Sequence, residues 1–248
     1  MSTMREFVVG AAPARQEELA IPELLRRAPL EFDWGGCLPE WASGWRWRAG
    51  RRVKRVLDVA LGSLLLVLLA PLFLLTALLV KLTSAGPVFY RWYAVGERAQ
   101  PFFAYKFRTM VTDAEVLKGS LLHLNEMAGP VFKMRQDPRI TPLGRWLRKY
   151  SVDELPQLWS VVKGDMSLVG PRPPLPEEFA LFERWQWAKL AVTPGITCIW
   201  QVSGRSEISD FGEWAKLDLA YIADWSLALD LRLLLRTVPA VISARGAY

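Results

Sequence analysis

Asp153 and Glu154 are adjacent carboxylates at the head of a short amphipathic run, with cations on both sides. Leu155, Leu158, Trp159 and Val162 recur at the spacing of one helix face, and Gly164 follows as a stop signal. Pro156 fits the first turn of such a helix, and Ser151 to Glu154 also reads as a capping box that would start it earlier. Both readings put Asp153 at or near a helix N-terminus, where free N–H groups and the positive dipole end favour an anion. The expectation is a carboxylate that stays ionised at pH 7, suiting a nucleophile or metal ligand more than a general base. Ser-x-x-Glu ahead of an apolar run most often only caps a helix, so the surroundings carry the argument. Arg145, Arg148 and Lys149 precede the pair; Lys163-Gly164-Asp165-Met166-Ser167 and Gly170-Pro171-Arg172-Pro173-Pro174 follow it. An arginine between prolines suits phosphate, whose oxygens a guanidinium grips bidentately.

Composition narrows the alternatives. With His123 as the single histidine, a His-based triad or a His-rich metal site is disfavoured, and the chemistry must rest on carboxylates and cations. Cys37 and Cys198 lie far apart and form no metal-spaced pair, which fits free thiols in a reducing compartment. Neither a Gly-x-Gly-x-x-Gly loop nor a Walker lysine motif occurs. The balance of 31 Lys+Arg against 25 Asp+Glu favours anionic partners. A chain of 248 residues can bury one sizeable core, with an appendage.

The elements that would position the acidic pair follow in order. Residues 1–50 form an N-terminal arm of mixed charge with a modest helical pattern around Glu17 to Leu30. Trp34, Trp41, Trp45 and Trp47 read as membrane-interface anchors or as an aromatic cluster over the main domain. Arg46, Arg48, Arg51, Arg52, Lys54 and Arg55 then abut an apolar run, Val56 to Val80, broken only by Asp58. Basic residues against an apolar run point to the anionic cytoplasmic face of a membrane and away from a nucleic-acid patch. The run exceeds the ~20 residues that span a bilayer, and Pro71 in its middle would break or sharply kink the helix. Lys81 and Arg91 lie beyond it, so both a straight crossing and a segment returning to the same face remain open on these residues.

From Ala85 the composition is that of a soluble domain. Val88 to Trp92 and Phe102 to Arg108 predict two short strands joined through Gly96, with Lys106 and Arg108 on one side, placed to meet a diphosphate or simply solvated. Helices are predicted over Asp113 to Asn125, Leu143 to Tyr150, Leu175 to Val192, Asp210 to Trp225 and Leu229 to Ser243. Thr193 to Thr197 reads as a turn and Ile199 to Val202 as a short extended piece. The whole predicts an α+β, mostly helical fold with a small amount of strand.

These segments resemble the bacterial sugar transferase family, the monotopic phosphoglycosyl transferases, from Lys54 to Tyr248. The ordered motifs are Lys54-Arg55-x-x-Asp58, Pro71, Gly86-Pro87-Val88-Phe89, Tyr105 to Met110, Asp137-Pro138-Arg139-Ile140-Thr141, Asp153 to Trp159, Lys163 to Ser167, Gly170 to Pro173, Pro194-Gly195-Ile196-Thr197 and Gln201-x-x-Gly204-Arg205. Each is weak alone; in this order they are specific.

The resemblance implies a re-entrant helix–break–helix over residues 51–84 and a cytoplasmic catalytic domain over 85–248 with amphipathic interfacial helices, on the inner face of a bacterial plasma membrane. It implies transfer of a sugar-1-phosphate from a UDP-sugar to polyprenyl (undecaprenyl) phosphate with Mg²⁺, releasing UMP, as a first membrane step of surface or secreted polysaccharide synthesis. By the same resemblance Asp153 is the nucleophile that carries a covalent phosphosugar, and Glu154 the Mg²⁺ ligand. Lys106, Arg148, Arg172 and Arg205 match basic positions that offset phosphate charge, with Arg108 beside Lys106. Asp165 and Asp218 match acidic positions, for which helix capping or an internal ion pair is an equal reading. Three departures stand out. Ala70 precedes Pro71 where Ser is common, so another group must meet the carbonyl that proline frees. Cys198 stands where Gly is usual. Residues 1–50 stand where larger members carry a transmembrane bundle, and the Trp-rich arm could join protomers into a homodimer. The ending Arg245-Gly246-Ala247-Tyr248 resembles members that act on galactose or glucose.

Overall fold

The computed structural model describes Leu25, residues 32–204 and residues 208–243. The predicted arm helix around Glu17 to Leu30 therefore lies outside the described residues apart from Leu25, as do Arg205 and the Arg-Gly-Ala-Tyr ending. Among the described residues the fold is α+β and mostly helical. Two apolar helices lead the chain: α1 (Trp45–Leu68) and α2 (Ala70–Thr83), set at 60° to one another. The break falls at Leu69 (φ −90°, ψ 2°), two residues ahead of Pro71. Proline has no N–H to give the Val67 carbonyl, and the Leu69 N–H turns to the carbonyls of both Leu65 and Val67 instead. The group that replaces the absent serine is thus backbone. Among the described residues no single helix is long and apolar enough to cross a membrane; this bent pair passes that test only together.

Strands β1 (Phe89–Val95) and β2 (Pro101–Phe107) form the antiparallel hairpin that the alternating pattern predicts, with Tyr90 opposite Lys106. After helix α3 (Ala114–Leu121) comes α4 (Pro142–Lys149). Thr141 caps α4 by accepting the Gly144 N–H at 3.0 Å, and Pro142 occupies its first turn. A 3₁₀ segment, Val152–Gln157, passes directly into α5 (Leu158–Lys163), which stops at Gly164 with φ +110°.

Three expected elements differ. Ser167–Val169 (β3) pairs in parallel with Gly195–Thr197 (β4), so the Gly-Ile-Thr segment is strand where a turn is expected. The stretch from Leu175 is not one helix. It makes a single turn, α6 (Pro176–Phe179), then a 3₁₀ run over Arg184–Ala191, because Phe179 and Phe182 both turn into the core and the Glu183 N–H is recaptured by the Gln186 side chain at 2.9 Å. Ile199–Val202 (α7) is a helical turn where an extended piece is expected. Helices α8 (Phe211–Ala223) and α9 (Leu227–Ser243) close the chain.

The tryptophan-rich arm packs mainly as the aromatic cluster. Trp34 is buried 4.6 Å from the Phe32 ring, and Trp47 is buried between Trp41 at 5.2 Å and Trp225 at 4.7 Å; Trp41 and Trp45 are exposed, Trp45 the more so. Several of the basic residues at the head of α1 are likewise spent inside the protein. Arg55 donates to the Val161 and Val162 carbonyls, capping the C-terminus of α5. Lys54 Nζ lies 2.7 Å from Asp230 and 2.9 Å from the Val169 carbonyl; Tyr221 donates to the same carboxylate, and Asp58 accepts the Leu168 N–H. Charges and backbone groups thus lock α1 to β3, α8 and α9. Arg51 pairs with Glu97.

Candidate active site

Ser151 ends α4 in the left-handed region (φ +53°), donates its N–H to the Arg148 carbonyl and accepts the Glu154 N–H. A non-glycine residue there is a costly local conformation that packing must hold, and it turns the chain sharply so that Asp153 and Glu154 follow directly. No side-chain cap forms at Ser151, so the expected capping box is absent. Below the turn, Val80 of α2, Phe107 of β2, Leu147 of α4 and Val152 form one buried cluster, with Phe73 and Leu155 against it. The bent apolar pair is therefore wedged directly under the acidic pair. Gly144 lets α4 approach the Thr109 carbonyl closer than any side chain would permit, and this brings Arg148 Nε within 2.9 Å of Thr109 Oγ1.

Asp153 is nearly enclosed. Burial, then the neighbouring Glu154 charge, push its pKa up to about 6, against the opposing pull of Lys106 and Arg148. Burial thus acts against the ionised form that the sequence reading expects to be favoured, while Lys106 and Arg148 act for it. The surrounding 3₁₀ segment is six residues long, and the two cations, then a backbone hydrogen bond, offset part of the cost of burial. Glu154 is partly open. Its Oε1 accepts from Lys106 Nζ at 2.8 Å, with Arg172 Nη1 at 3.7 Å, and Lys106 also lies over the Trp92 ring at 5.2 Å. Arg172 projects from the segment after β3, which β4 braces through Gly170 N–H to Thr197 O and Gly195 N–H to Pro171 O.

Of the sequence-predicted residues, Asp153, Glu154, Lys106, Arg148 and Arg172 come together. Arg108 does not join them, and Asp218 borders the group only from behind, where the Arg172 charge and backbone N–H favour its ionised form. Arg108 is buried past the end of β2 and donates to the carbonyls of Ser84, Ala85 and Pro87, so it ties the exit of α2 to the domain rather than facing a diphosphate beside Lys106. Asp218 is fully enclosed and ion-paired with Lys189 at 2.7 Å, the internal-pair reading. Asp165 pairs with Lys163 at 2.6 Å. Arg139 grips Asp137 through two nitrogens in the core and donates to the Ala114 carbonyl, so that motif is structural. Thr109 and Trp92, which brace Arg148 and Lys106, carry no sequence signal beyond proximity to a basic motif. Among the described residues no group of three or more His, Cys, Asp or Glu side chains is arranged to hold a metal ion.

An enclosed Asp153 beside a partly open Glu154, with three cations around them, can bind and attack phosphorus, and comparison with known proteins fixes the class. The bacterial sugar transferase family matches residues 49–244. The chain belongs to that family and is an enzyme, a phosphoglycosyl transferase by class. It is 43% identical over 196 residues to a galactosyl transferase, CpsE, of Streptococcus agalactiae, covering 78% of this chain and 43% of that protein. It is 39% identical over 203 residues to the exopolysaccharide production protein ExoY of Rhizobium meliloti, covering 80% of this chain and 89% of that one. It is 38% identical over 206 residues to an undecaprenyl-phosphate galactose phosphotransferase of Salmonella typhimurium, covering 81% of this chain and 43% of that protein. The chain thus spans less than half of the longer relatives and nearly all of the shorter one.

Proposed function

We propose that the protein transfers a hexose-1-phosphate from a UDP-sugar to undecaprenyl phosphate at the cytoplasmic face of a bacterial plasma membrane, at the start of exopolysaccharide, O-antigen or capsule assembly. The observation that carries this is the enclosed Asp153 beside a Glu154 that faces Lys106 and Arg172. The names of the relatives support galactose or glucose as the sugar and a lipid carrier as acceptor. The membrane setting is supported by apolar side chains left exposed along α1 and α2, among them Val56, Leu64, Val67, Leu68, Leu74 and Leu82. The same bent pair enters and leaves the bilayer from one side in this reading.

The chemistry follows in two displacements. An Asp153 oxygen attacks the sugar-bearing phosphorus, the bond from that phosphorus to the bridging oxygen breaks, and UMP leaves. An oxygen of the lipid phosphate then attacks the same phosphorus and Asp153 departs as a carboxylate. Neither step requires a proton transfer, which suits a site without histidine. Lys106, Arg148 and Arg172 offset the charge that builds on the phosphoryl oxygens. Among the described residues no third acid stands beside the two carboxylates, and such a pair fits Mg²⁺, which binds through one or two carboxylates and takes its other ligands from phosphates and water. Glu154, with Asp153 beside it, would hold the ion, and bound Mg²⁺ would neutralise diphosphate charge.

The test is product analysis with purified protein in vesicles, offering UDP-galactose and UDP-glucose. UMP should appear in proportion to lipid-linked product only with undecaprenyl phosphate and Mg²⁺. Release of UDP would replace this reading with a conventional glycosyltransferase.

A further inference from the structure

A groove of about 140 Å³ runs between the acidic turn, at Glu154, and α9. Its walls are mainly Leu155, Leu158, Ile196, Val202, Ala240 and Val241. Of the polar side chains that border it, Tyr150 and Ser151 stand beside the acidic turn, and Thr197, Thr237 and Gln201 farther along have protein partners. Thr237 donates to the Leu233 carbonyl at 2.8 Å and receives Thr197 Oγ1 at 2.8 Å, while Gln201 accepts from the Cys198 thiol at 3.3 Å. Away from the acidic turn the lining therefore offers mainly apolar surface, which suits a hydrocarbon better than a uracil ring.

The groove also continues outward. Thr237, Ala240 and Val241 share one face of α9 at i, i+3 and i+4. The exposed Leu231, Leu235, Val238 and Ile242 recur at i, i+4, i+7 and i+11 as a second, uncovered apolar stripe on the same helix. Val238 and Val241 are three residues apart and so adjoin on the helix surface. The groove therefore opens, at its Val241 edge, onto an apolar strip, and closes, at its inner end, on Glu154. The larger cavity of about 300 Å³ at the head of α1 differs in kind, since it is lined by Arg51, Lys54, Asp58 and Glu97.

We propose that this groove holds the isoprenoid units next to the phosphate of the lipid acceptor, so that α9 sets acceptor recognition while the cations around Glu154 hold the phosphate. The assignment rests on the transferase reading above. An isoprenoid chain lying along the exposed stripe of α9 would enter past Val241 and bring its phosphate to the carboxylate pair, the order of groups that the second displacement needs. Ala240 is the smallest side chain on the α9 wall, so enlarging it closes the groove at least disturbance to the core.

The experiment compares wild type, Ala240→Trp and Ala240→Leu as full chains in lipid nanodiscs with Mg²⁺ and with UDP-galactose or UDP-glucose. Two quantities are read: the burst of UMP without acceptor, and steady-state turnover against undecaprenyl phosphate concentration. The expected result is a retained burst with KM for undecaprenyl phosphate raised about tenfold or more by Trp and less by Leu. An unchanged KM in both variants overturns the assignment. So does loss of the burst in a variant that keeps its thermal transition, because the groove would then serve the donor. If Ala240→Trp fails to fold, Ala240→Leu alone decides between these outcomes. Absence of a UMP burst and of turnover in the wild type would instead remove the transferase reading, and the groove assignment with it.

Discussion

Lys106 Nζ lies 2.8 Å from Glu154 Oε1 and so joins the β1–β2 hairpin to the turn that carries the acidic pair. Both side chains are about one-fifth exposed, open enough for a substrate phosphate to compete for the ammonium. The same ammonium is the first of the two cations that hold down the Asp153 pKa. Lys106→Met should therefore act twice. Turnover should fall by about 10²–10³, the usual cost of a lost charge-stabilising donor. The acid limb of the pH–rate profile, set by Asp153 near pH 6, should move to higher pH, because removing a nearby positive charge makes the carboxylate harder to ionise. A pH profile of UMP release checks both, and a limb that stays put or moves lower would exclude the electrostatic role.

Asp153 itself costs stability. Its pKa is raised from 3.8 to about 6, chiefly by burial, so the folded protein binds the proton more tightly than the unfolded chain. The contribution of the group is favourable below about pH 4 and is lost as pH rises through about 6. Asp153→Asn should abolish UMP release while raising the melting temperature at pH 7, by an amount equivalent to at most about 3 kcal/mol. The gain should vanish in melts below pH 4. A variant that retains wild-type turnover would show that another group attacks phosphorus.

Arg108 gives the opposite pattern. Its guanidinium serves three carbonyls at residues 84–87, where α2 hands over to β1. Arg108→Met strands those acceptors in a buried place, so denaturant melts should show a loss of about 2–4 kcal/mol. Activity of the fraction that remains folded should change little. A catalytic loss with unaltered stability would return Arg108 to the phosphate site.

The contrast between these two cations marks the reach of the sequence. Lys106 and Arg108 share a side in a period-two pattern, and that pattern holds only while the strand lasts. β2 ends at Phe107, and the chain then turns Arg108 back to the Ser84–Pro87 segment, which no local pattern records. The same limit hid β3 and β4, each three residues long and paired across an intervening stretch of chain, and hid the break near Phe182, where burial of two phenylalanines overrides helical periodicity. The long apolar run, its proline break, the hairpin and the acidic turn were legible because each is signalled within a few residues. Whether Asp218 meets a ligand or a lysine was not legible, since Lys189 approaches it from a separate element.

The last prediction concerns what keeps the apolar pair bent. Proline inside a continuous helix costs about 3 kcal/mol, and Pro71→Ala removes that obstacle. A straight helix, however, would also pull Phe73 and Val80 away from Phe107 and Leu147. Phe73 meets the Phe107 ring at 5.5 Å, and Val80 is almost wholly enclosed. Full burial of such a side chain is worth about 1.5–3 kcal/mol, and with Val80 enclosed and Phe73 partly buried the packing is comparable with the proline penalty. Pro71→Ala should keep the bend and most of the activity. This can be read with cysteines placed at Trp45 and Thr83, one variant at a time, in a background with Cys37 and Cys198 replaced by Ala. In sealed vesicles a membrane-impermeant maleimide should label both positions from the same side, with or without proline. Adding Phe73→Ala and Val80→Ala to Pro71→Ala removes both restraints, and position 83 should then become labelled from the opposite side. Opposite-side labelling in Pro71→Ala alone would mean that the proline, and not the wedge under the acidic turn, holds the pair in its bent form.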